Sequence, residues 1–259
     1  MRKTRLRLAA AVVPAVLLAA ACSGSSDDGK GGATDSASAS ASANGSGGSG
    51  DAGDAGGSDD AGSTDGALSK AQLAKALITQ ADVPGWTVQV SQTDDSADTA
   101  TLTADKADCQ PLADVTSSKP KIPRKAFIGA AFARTTSGAT PDAINQMLVA
   151  SHAPGDARKV LASVKTALGT CTGFTATDNT GTKTPFTIAK GPRVPTGDEA
   201  VSYVMTDTKD KKSGAALVTV VRTGDTVTAY LSVKSAGGAG DLPIEVARKQ
   251  NEKLKAAQK

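Results

Sequence analysis

Histidine is almost absent: the 259 residues contain one, His152. Cysteine occurs three times, and aromatics number seven, as one Trp, two Tyr and four Phe. Each shortage removes a class of function. A Ser-His-Asp or Cys-His site would have to use His152, which stands just before Ala153-Pro154 at the end of a candidate strand, where a lone histidine is ordinarily solvated or caps a turn. A histidine-based metal site fails for want of ligands. Seven aromatics leave little to stack on bases, which argues against nucleic acid as a partner. Glutamate is limited to Glu199, Glu245 and Glu252, and most aspartates of the C-terminal part stand in apparent turns, a poor supply for a paired-carboxylate hydrolase. There is no P-loop or GxGxxG, and "TSSK" and "TKTP" match neither SxxK nor KTG. Nothing in the chain calls for a cofactor or a metal. Long apolar runs are missing too. The longest, Leu8 to Ala21, has 14 residues interrupted by Pro14, short of the roughly 20 that a spanning helix needs.

What the N-terminus does contain is a basic head (Arg2, Lys3, Arg5, Arg7), that short apolar run, and the small residues Ala19-Ala20-Ala21 ahead of Cys22. This is the pattern of a secretory signal over residues 1–21. The boundary "LLAAACSGSSDDGK" resembles the lipobox of bacterial lipoproteins, in which the cysteine is lipidated and becomes the new N-terminus. The usual leucine three places before the cysteine is Ala19 here, with Leu18 beside it. The resemblance implies a diacylglyceryl thioether on Cys22, with palmitate-type chains, and anchorage at the extracytoplasmic face of the cell membrane. Two chains are what stable anchoring takes, at about 0.8 kcal/mol per buried methylene. The alternative is an ordinary cleaved signal with an incidental cysteine.

Export changes the meaning of the other two cysteines. Cys109 and Cys171 form the single pair left in the mature chain, in a compartment where disulfides persist. Closing a loop of about 60 residues would stabilise the fold by about 4 kcal/mol; two buried free thiols are the alternative. Neither sits in a CxxC, which argues against a redox role.

The formal charge of +3 is unevenly spread. The signal carries +4, residues 23–66 carry −7 from eight Asp and one Lys, and residues 67–259 carry +6. Residues 22–66 beyond the cysteine are nearly all Gly, Ser, Ala and Asp, without a large apolar side chain, and read as a disordered tether. Order is expected over residues 67–259. In "LSKAQL", Ser69 and Gln72 form a capping box and Leu68 can staple onto Leu73, starting a helix that runs to about Thr79. Trp86 to Val90 reads as a strand, Asp94 to Asp108 as an irregular segment, and Cys109–Val115 as a short helix. The Pro-broken run Lys119, Lys121, Arg124, Lys125 reads as a solvated loop, with contact to anionic lipid or wall polymer as the alternative. Strands follow at Lys125–Arg134 and Asn145–Ser151. "PGDARKVLASVKTALGTC" is the clearest helix, its stripe of Ala157, Val160, Leu161, Val164 and Leu168 pointing to Cys171, with Gly169 as its stop. Glu199 to Thr206 alternates as a strand. Ala215–Thr223 and Thr226–Val233 flank Gly224-Asp225, a hairpin signal. A weakly amphipathic helix over about Leu242–Ala257 closes the chain. Strand runs with helices at the margins make an α+β domain.

The succession "ALITQADVPGWTV", "CQPLAD", "QMLVASHAPGDARKVLASVKTALGTC" and "GDEAVSYV … VTVVRTGDTVTAYL" resembles the PknH-like extracellular sensor domain, found in actinobacterial lipoproteins and outside receptor serine/threonine kinases. The resemblance covers roughly Leu68 to Ala257. It implies a twisted antiparallel sheet flanked by helices and a cleft that takes a ligand. Several relatives hold two disulfides where this chain has one pair of cysteines, and no kinase domain is attached. The expectation is therefore a non-catalytic binding or sensor-type lipoprotein, probed against two alternatives: an interaction lipoprotein docking a membrane or cell-wall partner, and an envelope hydrolase. A monomer serving an unidentified small molecule or envelope component is expected.

For the site, the hairpin offers two faces. Val218, Val220, Val227, Ala229 and Leu231 make a core face that a helix should cover. Leu217, Thr219, Val221, Thr228 and Tyr230 make the other, half polar. Core filling is the ordinary role of Trp86, Tyr203 and Tyr230. The functional alternative is that Trp86, Tyr203, Leu217, Val221 and Tyr230 line a cleft between this second face and the segment Asp94–Asp108, acting as a lid.

Overall fold

The computed structural model describes residues 66–91, 101–134, 140–211 and 214–259. The signal, Cys22 and the tether up to residue 65 lie outside the described residues, as do residues 92–100 of the expected lid.

The capping box forms as the sequence requires. Ser69 Oγ accepts from the Gln72 amide and Gln72 Oε1 accepts from the Ser69 amide, opening α1 (Lys70–Ala76). The helix stops three residues short of Thr79 for a tertiary reason. Gln250, fully buried, donates from Nε2 to Ala76 O (2.9 Å) and accepts from the Ile78 amide (3.0 Å). Leu77 is extended, and Leu77 and Ile78 enter the core from non-helical backbone.

The strands are β1 (Trp86–Val90), β2 (Thr103–Ala104), β3 (Ala126–Arg134), β4 (Ala143–Ser151), β5 (Gly173–Thr177), β6 (Lys183–Lys190), β7 (Glu199–Asp207), β8 (Ala215–Thr223) and β9 (Thr226–Lys234). They form one antiparallel sheet in the order β1-β3-β4-β9-β8-β7-β6-β5-β2. The helices are α2 (Gln110–Asp114), preceded by one 3-10 turn at Ala107–Cys109, α3 (Asp156–Thr170) and α4 (Ile244–Ala257). This is the expected α+β class. Gly169 does not stop α3, which continues to Thr170. β2 and the 3-10 turn fall in a stretch expected to be irregular, and β5 and β6 appear where no strand was assigned. These strands are short or at the sheet margin and rich in Thr and Lys, so their apolar alternation is faint.

The hairpin forms in the expected register, with Thr223 opposite Thr226 and Gly224 at φ +57°, a left-handed backbone that glycine adopts at no steric cost. Its strands are central, so both of their faces are buried. On one side α2 and α3 cover Val218, Val220, Tyr203, Phe174 and Val227. On the other, α1 and α4 cover Phe132, Met147, Val149, Leu217 and Tyr230. Cys109 and Cys171 are bonded, 5.4 Å apart at Cα across 62 residues, and tie the 3-10 turn to the end of α3.

Candidate functional site

Among the described residues the second hairpin face is not a cleft, because α1 and α4 cover it. Trp86, Leu217, Val221 and Tyr230 are 6%, 3%, 2% and 2% exposed, inside one apolar cluster. Trp86 packs edge-on against Phe132 (5.8 Å), and Phe132 against Tyr230 (6.4 Å, 89°). Thr219 and Thr228, whose polarity suggested a lined surface, are both buried; as β-branched residues they fill strand positions much as valine would. Tyr203 lies on the opposite side of the sheet and donates its O–H to Leu112 O (3.0 Å). Burial pushes both phenols above the ordinary tyrosine range. The five residues are thus split between two cores.

The structure offers a cavity elsewhere, on the α2/α3 side. Its floor is sheet: Leu148 and Ala150 of β4, Val220 of β8, Val227 and Ala229 of β9. Val160 and Ser163 of α3 form one wall, and Pro111, Asp114 and Val115 the other. The roof is the segment 116–125, through Pro120, Ile122 and Arg124, and His152 closes one end. The space for water-sized molecules amounts to about 40 Å³.

The roof is a strap held at several points. Ser117, fully buried, accepts from the Leu102 amide through Oγ (3.1 Å). Asp114 Oδ2 accepts from the Lys121 amide (3.1 Å), and Lys125 N donates to Ser151 O (2.8 Å). Arg124 reaches back to donate to Ser117 O (2.9 Å), Val115 O (3.2 Å) and Asp114 O (3.3 Å), capping carbonyls left open at the C-terminus of α2. Of the basic run, then, Lys119, Lys121 and Lys125 are exposed, whereas Arg124 is a clasp. Desolvation lowers its pKa to about 10, partly opposed by Asp114.

His152, expected to be solvated or to cap a turn, is not solvated. It is 3% exposed. Its amide donates to Asp225 O (2.9 Å), and Asp225 Oδ1 accepts from the Gly155 amide (2.9 Å), so the hairpin turn fixes the β4–α3 connection. The ring Nδ1 lies 3.1 Å from Pro123 O. A carbonyl only accepts, so in the neutral ring Nδ1 carries the proton and Nε2 the lone pair. Burial lowers the His152 pKa; the Pro123 bond opposes this, Arg124 adds to the lowering, and Asp156 and Asp225 oppose it. The lowered pKa favours the neutral ring at pH 7. The sequence gives one signal for this pair of residues: an isoleucine, Ile122, between the prolines of "KPKIPRK", an apolar residue in a loop otherwise built for solvent.

A second hollow lies over the disulfide, between Lys106–Cys109 and Thr170–Gly173. Its volume is larger, about 280 Å³, but most of its lining residues are exposed, and Lys106 Nζ already donates to Gly173 O (2.7 Å). It is an open surface depression. Among the described residues no group of His, Cys, Asp and Glu is placed to hold a metal ion, and no helix is long and apolar enough to cross a membrane.

A two-core antiparallel sheet tied by one disulfide defines an α+β domain of the kind that works outside the cytoplasm. The chain belongs to the PknH-like extracellular domain family, whose model matches residues 68–253. Among solved structures it is similar to the extracellular domain of PknH from Mycobacterium tuberculosis, at 13% identity over 74% of this chain and 97% of that one, with a TM-score of 0.49. It is also similar to an uncharacterized protein from Mycobacterium smegmatis, at 12% identity over 73% and 94%, with a TM-score of 0.33. No curated protein matches the chain. Family membership rests on the sequence match and makes this an extracytoplasmic domain of the sensor type.

Proposed function

We propose that this protein is a lipid-anchored, non-catalytic binding domain of the cell surface, held through Cys22, which takes a small molecule in the cavity beneath the 116–125 strap. The supporting observation is the cavity's make-up: an apolar floor on which one buried histidine and one desolvated guanidinium converge, the composition common to ligand sites. Anchoring is supported by the order of basic head, short apolar run and Cys22. The partner-docking alternative has less support, since among the described residues the exposed large hydrophobics are Val90 and Ile144, on opposite faces of the sheet. Hydrolysis has less still, since the hydrogen bond of His152 is to a backbone carbonyl.

Native mass spectrometry of the protein purified from its own host tests the binding reading. A retained small molecule is expected, and it should be lost in Ser163→Leu, which projects a larger side chain into the cavity. A retained molecule that survives Ser163→Leu puts the site elsewhere. For the anchor, Cys22→Ala should release the protein to the medium or leave the signal uncut; a cleaved variant that still fractionates with membranes contradicts lipidation.

A further inference from the structure

The charge in this cavity is unusual. Arg124 directs its guanidinium to three backbone carbonyls and to the face of Phe127 (5.9 Å). Among the described residues no carboxylate lies within ion-pair distance of it; Asp114, the acid that acts on it, is engaged with Gln110 Nε2 (2.7 Å) and the Lys121 amide. A guanidinium has five N–H groups, so at least two remain unspent. A half-buried cation whose hydrogen bonds all go to neutral carbonyls is better satisfied by an anion, and a charge-assisted bond to one is roughly twice as strong as a neutral bond. The exposed Lys119, Lys121 and Lys125 on the same strap add to the positive field that an anion would meet on entry.

Size and the rest of the lining narrow the class. One water needs about 10–15 Å³ of centre space and has about 30 Å³ of liquid volume. The 40 Å³ here therefore holds about three waters, or roughly 100 Å³ of liquid volume, the scale of an acid of roughly two to four carbons. The floor has no polar side chain, and Ser163 Oγ is occupied by Val160 O (2.8 Å). His152, with Nδ1 committed to Pro123 O, has Nε2 left as an acceptor.

Building on the reading of this cavity as a ligand site, we infer that its ligand is a short aliphatic carboxylate of roughly two to four carbons, the carboxylate taken by Arg124 and the alkyl chain laid on Leu148, Val220, Val227 and Ala229. A hydroxyl on the chain would give His152 Nε2 a donor, whereas a second carboxylate would face its lone pair.

Calorimetric titration of the full chain at pH 7 with sodium butanoate, 3-hydroxybutanoate, butan-1-ol and butylammonium chloride tests this. Butanoate should bind saturably, 3-hydroxybutanoate at least as tightly, butan-1-ol at least tenfold more weakly, and butylammonium not at all. Ser163→Leu, whose lost hydroxyl serves only its own helix, should abolish butanoate binding. Arg124→Gln should bring butanoate and butan-1-ol within threefold of each other; should that variant fail to fold, the ligand series and Ser163→Leu decide the matter. If butan-1-ol binds as well as butanoate, the cavity remains a ligand site and the carboxylate inference falls. If butanoate binds unchanged to Ser163→Leu, the inference falls because the anion site is elsewhere. If none of the four binds, the cavity reading falls with it.

Discussion

Tyr230 decides whether the α1/α4 side of the sheet is core or binding surface. The side chain is 2% exposed and meets Phe132 edge to face. Truncating a buried aromatic to alanine costs about 3–5 kcal/mol, and losing the aromatic pair adds about 0.5–1.5 kcal/mol. Tyr230→Ala should therefore lower stability by about 5 kcal/mol, and the melting temperature by roughly 10–20 °C for a domain of this size. The hydroxyl is a separate matter. That of Tyr230 has no hydrogen-bond partner among the described residues, so Tyr230→Phe should stay within about 0.5 kcal/mol of the parent or exceed it. That of Tyr203 holds Leu112 O, so Tyr203→Phe should cost about 1–2 kcal/mol by leaving a buried carbonyl unpaired. Urea unfolding followed by far-UV circular dichroism measures all three, and the single Trp86, in the same cluster as Tyr230, gives a second, local signal. A cost below about 1 kcal/mol for Tyr230→Ala would refute the core assignment, because no packed aromatic is removed so cheaply.

Gln250→Met keeps most of the volume but strands Ala76 O and the Ile78 amide. It should cost about 2–4 kcal/mol by chemical denaturation, whereas exposed Glu252→Ala should change stability by under about 0.5 kcal/mol. Cys109 and Cys171 should be blocked to alkylation until reduced, and reduction of the 62-residue loop should lower stability by about 4 kcal/mol; free thiols in freshly exported protein would count against the bridge. The Lys253 ammonium (2.7 Å) and the Thr79 amide hold the Asp82 carboxyl down to about 2. A depressed acid stabilises the fold above its ordinary pKa, near 4, and loses that contribution as pH falls toward 2. Asp82→Asn should flatten the stability profile over that interval, by about 1 kcal/mol after allowing for partial solvent screening; an unchanged profile would mean the Asp82–Lys253 ion pair does not form in solution.

Local signals with strong chemistry were legible in the sequence. The capping box, the Gly224-Asp225 turn and the α3 stripe each depend on residues close along the chain, and each stands where the sequence puts it. The length of α1 was not legible, because the group that stops it, Gln250, arrives from the last helix. The faces of the hairpin were half legible. Alternation told Val218 and Val220 from Leu217 and Thr219, but not that both sides are covered. That depended on β8 and β9 lying mid-sheet between two helical layers, where even threonines are buried. The cavity escaped for a related reason. His152 and Arg124 look like turn and loop residues until strap, hairpin turn and β4 end converge on them.

The most direct test of the account is a crystal structure of the protein purified from its native host without added ligand. Density for a small molecule is expected beneath the 116–125 strap, in contact with Arg124, His152 and the floor at Val220 and Ala229. A strap collapsed onto that floor, with Ile122 filling the space and ligand density absent or elsewhere, would contradict it.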